Sequence, residues 1–590
     1  MRIIHRVVLG VFLARARFVA CVLFLLWIVD SAAEQTQQEP KIVFLDQGWS
    51  AELREKFYYA PQGSRLMPYS WFRALEQADT TDLFAKPANL AAFGWLLPAG
   101  DSGRLNPDGL PVGFTRDPAE LPITGQWVGL NCAACHTGEV TFKGTTIRVD
   151  GAQSMADLGR FLAELSRAVS ANSPVADKTK FRRFAARVLG AALTPERLEQ
   201  LTEAYKEFSV RFVGRVWMRT PPLPAGPARI DALTQTLNSL AVVNLGAPDN
   251  LRPPAAPTSY PYLWLTPKLD WVQWNPIASD PIARNTSEVL AVFGEANFGL
   301  DASPLFSSSV LFERLFELEQ WIDGLEPPRW PEAILGSIDE ARWRKGAELF
   351  RKDCRGCHNM PPFDMTPKEE NFAEKQFIRI SRVDHRAVGT DPLYVQNLIG
   401  RWVETGILVD KLFQGKAVVP AVEFFMRTVA ATVEQGLTDL RVREVDKMAY
   451  SGYRFRPPAS PGAKPEGYDP PSVTDLKAGP LLGIWATAPF LHNGSVPNID
   501  ELLSPPEQRS KVFWVGSREL DTRKLGFASK EAPGLFRFDT RLPGNLNSGH
   551  VYPEKPYNEE MRQQLIEYLK DPERFRQGSK LVNPKKSSRP

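Results

Sequence analysis

The cysteines of this 590-residue chain are few, and four of the five repeat one pattern. They form Cys132-Ala-Ala-Cys135-His136 and Cys354-Arg-Gly-Cys357-His358, which are 222 residues apart (132 to 354). Two thiols separated by two residues and followed by a histidine are the attachment pattern of c-type haem. The thiols bond to the haem, and the adjacent imidazole can reach the iron as its proximal ligand. The two motifs therefore predict two covalently bound haem c groups, with His136 and His358 as iron ligands.

Other kinds of site also use a Cys-x-x-Cys pair, namely a redox-active dithiol and half of a zinc site. Zinc requires a fourth ligand, and each motif offers only three. A redox dithiol does not require the neighbouring histidine that both copies have. The fifth cysteine, Cys21, lies in the first 33 residues, so none remains for a disulfide. Haem attachment is therefore the favoured interpretation of both motifs.

Histidines and methionines outside the motifs are candidate sixth ligands for the two irons. The candidates in the second half of the chain include His385, His492, His550, Met360, Met365, Met426 and Met448. A haem held by two side chains is closed and transfers electrons, whereas a haem with an open position can bind oxygen or peroxide. The residues alone leave this choice open for both haems.

Composition and charge limit the class of protein. The length allows two or more domains, and 43% hydrophobic and 24% charged residues are ordinary for a soluble globular protein. The 50 prolines favour many loops and short helices. Residues 1–33 hold four arginines and one aspartate, so the rest carries 67 basic and 67 acidic residues. Nucleic acid is therefore not an expected partner, because binding it requires a basic excess.

The N-terminus has the features of an export signal. Four arginines accompany an apolar run of 12 residues from Phe18 to Val29, short of the roughly 20 that span a membrane. Ser31-Ala32-Ala33 fits a signal peptidase site, so residues 1–33 are predicted to be a cleaved signal peptide. An uncleaved anchor is the alternative, since Val7 to Ala14 is also apolar. The mature chain is predicted to be periplasmic or secreted, with no stable membrane span.

The elements that must position the motifs are mostly predicted helices. Ser337-Ile-Asp-Glu340 fits a capping box that starts a helix leading to Cys354. Met155 to Ala171 and Thr194 to Met218 are predicted to be amphipathic helices. Asn558 to Leu569 is predicted to be a final helix capped by Asn558. Few alternating strand runs are present.

The proline-rich break Glu326-Pro-Pro-Arg-Trp-Pro331 is the predicted domain boundary. It separates an N-terminal haem domain with a central insertion, residues 34–326, from a C-terminal cytochrome c-like haem domain, residues 332–590. The predicted fold class is mainly α, with two cytochrome c-like haem domains, long loops and helical insertions.

Five segments resemble the dihaem cytochrome c peroxidase superfamily. They are Asn131 to Gly138, Thr266 to Asn275, Arg344 to Phe350, Gly483-Ile-Trp-Ala-Thr-Ala-Pro-Phe-Leu-His-Asn-Gly-Ser-Val-Pro497 and Leu542-Pro-Gly-Asn-Leu-Asn-Ser-Gly-His550. The last two are most similar to the bacterial rubber-oxygenase branch and its relatives, which include dihaem fatty-acid dioxygenases. The likeness runs from about residue 125 to residue 569.

The resemblance implies a division of labour between the haems. The N-terminal haem would be reactive, and a six-coordinate C-terminal haem would supply or store electrons. In the rubber-oxygenase branch the sixth ligand of the second haem is a histidine near the C-terminus, and His550 matches that place. His492 matches the His-Asn-Gly motif that lies close to the C-terminal haem. The peroxidase branch uses a methionine shortly after that motif, but no methionine occurs between Pro497 and His550.

The middle segment from Trp264 to Phe298 is the predicted wall of the reactive pocket. Its aromatic and polar residues are Trp264, Trp271, Trp274, Phe293, Phe298, Arg284, Asn285 and Glu288. The resemblance matches Phe293 to a phenylalanine over the oxygen site, and Trp271 or Trp274 to an interhaem tryptophan. Peroxide cleavage needs a proton-transferring group, for which Glu288 is the candidate. A structural role for the aromatic residues stays open, because aromatic side chains dominate protein cores.

Three functions stay open at this point. The first is an oxidoreductase that activates dioxygen to cleave or hydroperoxidise a hydrophobic unsaturated substrate. The second is a peroxidase that reduces hydrogen peroxide with electrons from a small electron-donor protein. The third is a non-catalytic dihaem electron carrier, which would not need so long a chain. The resemblance also leaves open a calcium ion between the domains, as in some peroxidase relatives.

Overall fold

The computed structural model describes residues 42–100, 103–121, 125–299, 304–370, 375–443, 446–447 and 472–575. The predicted signal peptide, residues 1–33, and the candidate ligand Met448 lie outside these ranges. The described part forms 17 α-helices and 16 short strands. The helix-rich part of the predicted fold class is confirmed, and the small sheets are a feature that the prediction missed. Within these ranges, no helix has the length and apolar content to cross a membrane.

The helices before the proline-rich break are α1 (Ala51–Tyr59), α2 (Tyr69–Ala74), α3 (Pro87–Ala91), α4 (Cys132–Cys135), α5 (Leu158–Ala171), α6 (Lys178–Leu189), α7 (Pro195–Trp217), α8 (Ala232–Asn238), α9 (Pro281–Ala291) and α10 (Phe312–Asp323). The later helices are α11 (Glu332–Leu335), α12 (Glu340–Asp353), α13 (His385–Val388), α14 (Leu393–Ile399), α15 (Ala421–Asp439), α16 (Ile499–Leu502) and α17 (Glu559–Lys570).

The strands of the first half are β1 (Ile42–Phe44), β2 (Met67–Pro68), β3 (Phe114–Leu121), β4 (Gly125–Leu130), β5 (Thr137–Phe142), β6 (Thr145–Asp150), β7 (Arg229–Ile230) and β8 (Thr258–Ser259). Those of the second half are β9 (Ser381–Asp384), β10 (Trp402–Glu404), β11 (Val418–Pro420), β12 (Asp475–Ala478), β13 (Val512–Val515), β14 (Leu520–Asp521), β15 (Gly526–Phe527) and β16 (Phe536–Asp539).

Two three-stranded sheets flank the first motif. One has the order β2-β4-β3 and is antiparallel, and the other has the order β1-β6-β5, with β1 parallel to β6. Helix α4 carries the first motif and connects β4 directly to β5. The strands are two to eight residues long, which is too short for a clear alternating pattern in the sequence.

Three predicted helices form close to their expected bounds, each with a side-chain cap. Asp157 caps α5, Thr194 caps α7 and Asn558 caps α17. Each cap accepts a hydrogen bond from a backbone N–H of the first turn, which satisfies a donor that the helix itself leaves unpaired. The start of α5 lies three residues later than the predicted Met155, because Asp157 supplies the cap.

The helix before the second motif starts differently from the prediction. Asp339 is the N-cap of α12, and its side chain accepts from the N–H of Arg342. The predicted capping box from Ser337 to Glu340 is therefore wrong, because the aspartate two residues later forms the cap instead. The helix ends at Asp353, so it still delivers the chain to Cys354 as expected.

Gly346 allows α12 to pack closely on α17. A Cβ atom at this position would lie 2.0 Å from the carbonyl oxygen of Gln564. On the same helix, Trp343 and Phe350 both contact the ring of Tyr568. The glycine lowers helix propensity but permits the contact that holds the second motif against the last helix.

The hydrophobic core joins both parts of the chain. One large cluster of buried apolar residues extends from Trp49 to Leu569 and includes residues on both sides of the proline-rich break. Arg518 forms an ion pair with Glu139 at 2.9 Å, and its carbonyl accepts from the N–H of Thr141. A second, aromatic-rich cluster draws its members from residues 66–293. The domain bounds at residues 326 and 332 stay a prediction.

Candidate haem sites

The first motif lies beside an internal cavity of about 380 Å³. Asn131 caps the short helix α4, and its side-chain amide donates to the carbonyl oxygens of Phe57 and Ala60. These bonds tie the motif to the end of α1 and fix the turn that follows β4. Both thiols of the motif and its histidine lie in the cavity wall.

The second motif lies beside another cavity, of about 250 Å³. Helix α12 ends at Asp353, and the following turn places Cys354, Cys357 and His358 in the cavity wall. The apolar part of the wall includes Phe350, Val383, Leu476, Phe490, Leu565 and Leu569. Both motifs thus border a largely apolar space, as the attachment of a haem at each of them requires.

Both motif histidines are oriented by the same kind of hydrogen bond. The Nδ1 atom of His136 lies 2.6 Å from the carbonyl oxygen of Pro261, and that of His358 lies 2.8 Å from the carbonyl oxygen of Gly479. Because a carbonyl oxygen only accepts, each Nδ1 carries the proton, and each Nε2 is left as the metal-binding nitrogen. Burial lowers the pKa of His358 and lowers the pKa of His136 to about 4, which favours the neutral imidazole.

His550 faces His358 across the second cavity. Their ring centres are 6.3 Å apart. Two metal–imidazole bonds of about 2 Å, extended on each side to the ring centre, require a separation of about 6 Å. Arg509 holds the loop in place, since its guanidinium donates to the carbonyl oxygens of Asn547 and Gly549. Burial also lowers the pKa of His550 to about 3. The pair therefore fits a single iron between two imidazoles.

The first cavity has a different wall opposite its histidine. His136 is the only histidine among the described residues that line it. The candidate ligand Met426 also lines this cavity and is 48% exposed. His492 lines the second cavity, where its ring centre is 6.2 Å from that of Tyr394. The structure thus pairs His358 with His550 and gives His136 no such partner within the described chain.

Three further candidate ligands lie outside the described walls of both cavities. His385 begins α13 and its Nδ1 lies 3.2 Å from the carbonyl oxygen of Thr474. Met360 is buried, and its sulfur accepts from the N–H of Leu481. Met365 is 39% exposed. Neither cavity has any of these three candidates in its described wall.

Polar residues occupy part of the wall of the first cavity. Gln273 donates from its amide to a carboxylate oxygen of Glu288 at 3.2 Å. Arg284 forms a buried ion pair with Glu319 and also donates to Asn285. Burial raises the pKa of Glu288, and the positive charge of Arg284 opposes that rise. Glu288 is therefore a carboxyl group in the cavity wall whose neutral form is favoured by burial.

The aromatic residues predicted for the reactive pocket lie in different places in the structure. Trp271 lines the first cavity, whereas Trp274 lines both cavities and donates from its indole to the carbonyl oxygen of Ser259. Trp264 is fully buried, and Phe298 lies in the large core cluster. Trp274, rather than Trp271, therefore lies in the wall between the two sites.

Phe293 is absent from the described wall of the first cavity. Its ring stacks on Phe212 with the centres 5.9 Å apart, and the guanidinium groups of Arg215 and Arg219 lie over it. It belongs to the second core cluster and is 1% exposed. The structure thus brings Glu288 and Trp271 to the cavity but leaves Phe293 in the core, and the catalytic roles of all three stay predictions.

Comparisons with known proteins agree with the chemistry of the motifs. A family model described as "RoxA-like, cytochrome c-like" matches residues 476–514. "Uncharacterized protein y4iJ" of Sinorhizobium fredii (strain NBRC 101917 / NGR234) is 34% identical over 568 residues, which cover 88% of this chain and 89% of its own. The chain belongs to the same family as y4iJ.

A more distant relative and the family model extend this result. "Uncharacterized protein y4iM" of the same organism is 25% identical over 348 residues, which cover 56% of this chain and 65% of its own. The segment matched by the RoxA-like model includes Lys477 and His492, both of which line the second cavity. This match supports a relationship to RoxA-like dihaem cytochromes, and with it a haem-cytochrome function and covalently bound haem c for this y4iJ-family chain.

The alternative roles of the cysteines, a redox-active dithiol or a zinc site, have little support in this y4iJ-family chain. Its four described cysteines are unpaired, and burial raises the pKa of the Cys132, Cys135 and Cys354 thiols. A redox dithiol uses a thiolate, which a raised pKa disfavours. The described residues contain no group of three or more histidine, cysteine or acidic side chains that could hold a metal ion. The calcium ion that the resemblance leaves open has no such cluster among the described residues.

Three residues of these sites were not predicted from the sequence. Pro261 and Gly479 act through their carbonyl oxygens, which carry no side-chain signal. Both belong to similar short segments, Tyr260-Pro261-Tyr262-Leu263 and Gly479-Pro480-Leu481-Leu482. A search for one such proline-containing apolar segment per motif could have found them. The third residue, Lys477, lines both cavities and lacks any recognisable sequence pattern.

Proposed function

We propose that the protein is an exported dihaem c-type cytochrome oxidoreductase that activates dioxygen or peroxide at the haem of the first motif. One observation carries this proposal, namely the difference between the two cavities. His550 stands 6.3 Å from His358, whereas His136 faces a cavity of about 380 Å³ with no second histidine in its described wall. A haem with two histidine ligands transfers electrons, and a haem with a free position can bind a small molecule.

Different residues of the chain would attach, coordinate and contact the two haems. The cysteines of the motifs would attach the groups, and His136, His358 and His550 would be iron ligands. His492 lies in the wall of the second cavity, from which it would contact the second haem. Trp274 lies between the two cavities, so an electron that passes from the second haem to the first would cross its indole.

The first cavity has an apolar approach from the surface. Its wall includes Phe425, Met426, Val429 and Ala430 of α15, of which Met426 and Ala430 are exposed. An apolar approach suits a hydrophobic unsaturated substrate, because burying apolar surface contributes about 25 cal/mol per Å² to binding. A pocket that excludes water also protects oxygen chemistry from side reactions. This supports oxygen-dependent cleavage or hydroperoxidation of such a substrate.

A second candidate function is the reduction of hydrogen peroxide with electrons from a small donor protein. The observation that favours it is the Gln273–Glu288 pair in the wall of the first cavity. Peroxide cleavage requires that a proton move from one oxygen to the other, and a buried carboxyl group with a raised pKa can carry it. The amide of Gln273 orients that carboxyl group.

Spectroscopy of the oxidised full-length holoprotein tests the proposal. We expect one high-spin signal in the electron paramagnetic resonance spectrum that cyanide converts to low spin, and one low-spin signal that cyanide leaves unchanged. Turnover assays then separate the two candidates: dioxygen uptake with an unsaturated apolar substrate supports the first, and peroxide reduction by a reduced small cytochrome supports the second. Two low-spin signals indifferent to cyanide would overturn both and leave an electron carrier.

A further inference from the structure

Lys477 lies at the boundary between the two cavities and lines both of them. It belongs to β12, where it is paired with Arg382 of β9. Its backbone N–H donates to the carbonyl oxygen of Trp274 at 2.8 Å, so the strand and the tryptophan form one continuous wall. The lysine is therefore fixed in position by its backbone, independently of any contact that its ammonium group makes.

The ammonium group of Lys477 makes no hydrogen bond or ion pair with the described residues. Protein surrounds the side chain, and burial lowers its pKa to about 8, an effect that the charge of Arg284 increases and that of Asp270 opposes. The carboxylate of Asp270 already accepts from the N–H groups of Trp271 and Ile380. Lys477 is half-buried and lines both cavities. A cation in a largely apolar wall without an ion-pair partner favours an anion in the adjoining space.

Further donors in the cavity walls also lack a partner within the described chain. Arg284 and Asn275 line the first cavity and Thr390 lines the second, and each has one buried side-chain donor without a partner, namely Nη1, Nδ2 and the hydroxyl. Arg284 has Glu319 as an ion-pair partner at 2.5 Å, whereas Lys477 has no ion pair among the described residues and only the longer-range charge of Asp270. An excess of donors in the walls fits a ligand that brings acceptor oxygens of its own. Haem carries two such groups, its propionate carboxylates.

We infer that the Lys477 ammonium binds a haem propionate carboxylate at the boundary between the two cavities and so raises the reduction potentials of both haems. The inference rests on the proposed function, since it requires that both cavities hold haem. A positive charge near an iron favours the reduced form, which carries one positive charge fewer. Lys477 acts through the propionate and is a positioning residue, with no part in proton transfer.

Redox titration of the full-length holoprotein, followed by absorbance, tests this inference. The variants are Lys477→Met, which removes the charge at nearly constant volume, Lys477→Arg, which keeps it, and Lys530→Met, which removes an exposed lysine as the control. We expect both midpoint potentials to fall in Lys477→Met. The potentials of Lys477→Arg and Lys530→Met should stay close to those of the unmodified protein.

The outcomes separate this inference from the proposed function. Unchanged potentials in Lys477→Met, or an equal fall in Lys530→Met, would overturn the role of Lys477, whereas the cyanide-sensitive signal of the unmodified protein would still support the open first haem. If Lys477→Met fails to fold with two haems, redox-induced infrared difference spectra of Lys477→Arg give the answer. Propionate carboxylate bands that do not shift when guanidinium replaces ammonium would overturn the inference.

Discussion

The two motif regions share the same local chemistry and differ in what lies across from the histidine. In both, Nδ1 donates to a backbone carbonyl, at 2.6 Å for His136 and 2.8 Å for His358. Beyond His358 lies a second imidazole, whereas beyond His136 lies a larger cavity with Glu288 in its wall. A Cys-x-x-Cys-His motif thus determines attachment and one ligand, while segments remote in the chain determine whether the second coordination position is closed.

The largest expected effect comes from removing the histidine on the open side. His136→Ala should lower turnover with either oxidant by more than about a hundredfold, the upper end of losses caused by changes around a metal ligand. Steady-state assays with dioxygen and with peroxide measure this. The matched variant His358→Ala should keep the cyanide-sensitive signal of the first haem. Loss of that signal in His358→Ala would contradict the assignment of the open site to His136.

The next largest effect is expected at the polar wall of the same cavity. Glu288→Gln removes the proton-transferring group and should lower peroxide turnover by a factor of about 10² to 10⁴, the usual contribution of general acid–base catalysis. Cyanide binding should be preserved, and the exposed Glu313→Gln is the control. Peroxide turnover that is unchanged in Glu288→Gln would remove the main support for the peroxidase candidate.

A third substitution should make the closed site resemble the open one. His550→Ala removes the imidazole opposite His358, so the low-spin signal of the second haem should become high-spin and sensitive to cyanide. His492→Ala is the matched control, since His492 lines the same cavity, and its low-spin signal should persist. The opposite result for the two variants would make His492 the sixth ligand.

The smallest effect on reactivity is expected from Phe293→Ala. The ring is buried between Phe212 and two arginines, so its loss should lower the free energy of unfolding by about 3–5 kcal/mol. Cyanide affinity of the first haem should not change. Denaturant unfolding and cyanide titration measure the two quantities. Altered cyanide affinity at unchanged stability would instead support the role over the oxygen site that the resemblance predicted for Phe293.

The parts of the fold that could be predicted are those with local physical signals. Helices α5 and α7 were found from apolar periodicity, and α17 was found with its capping asparagine, Asn558. The strands were missed because they are short, and some of them, such as β1 with β6 and β9 with β12, pair with distant segments. The location of Phe293 could not be predicted either, since a buried aromatic ring in a core and one over a reactive site have the same sequence pattern.

The candidate sites show the same limit. Both haem-attachment motifs could be predicted from the sequence, because the Cys-x-x-Cys-His spacing alone indicates this chemistry. His550 was proposed only by resemblance to a known family, and the structure places it opposite His358. The carbonyl acceptors of Pro261 and Gly479 depend on backbone position alone, and the charge of Lys477 matters only because two cavities meet beside it. Such features follow from long-range packing, which periodicity and composition do not encode.

The hydrogen bonds that orient the two motif histidines also impose an order on assembly. Their acceptors follow the histidines by 125 and 121 residues in the chain. Each imidazole can therefore be oriented only after a segment more than a hundred residues later has folded back onto its motif. Attachment at the cysteines alone would not give either haem its final iron geometry, which also requires that the later segment be folded.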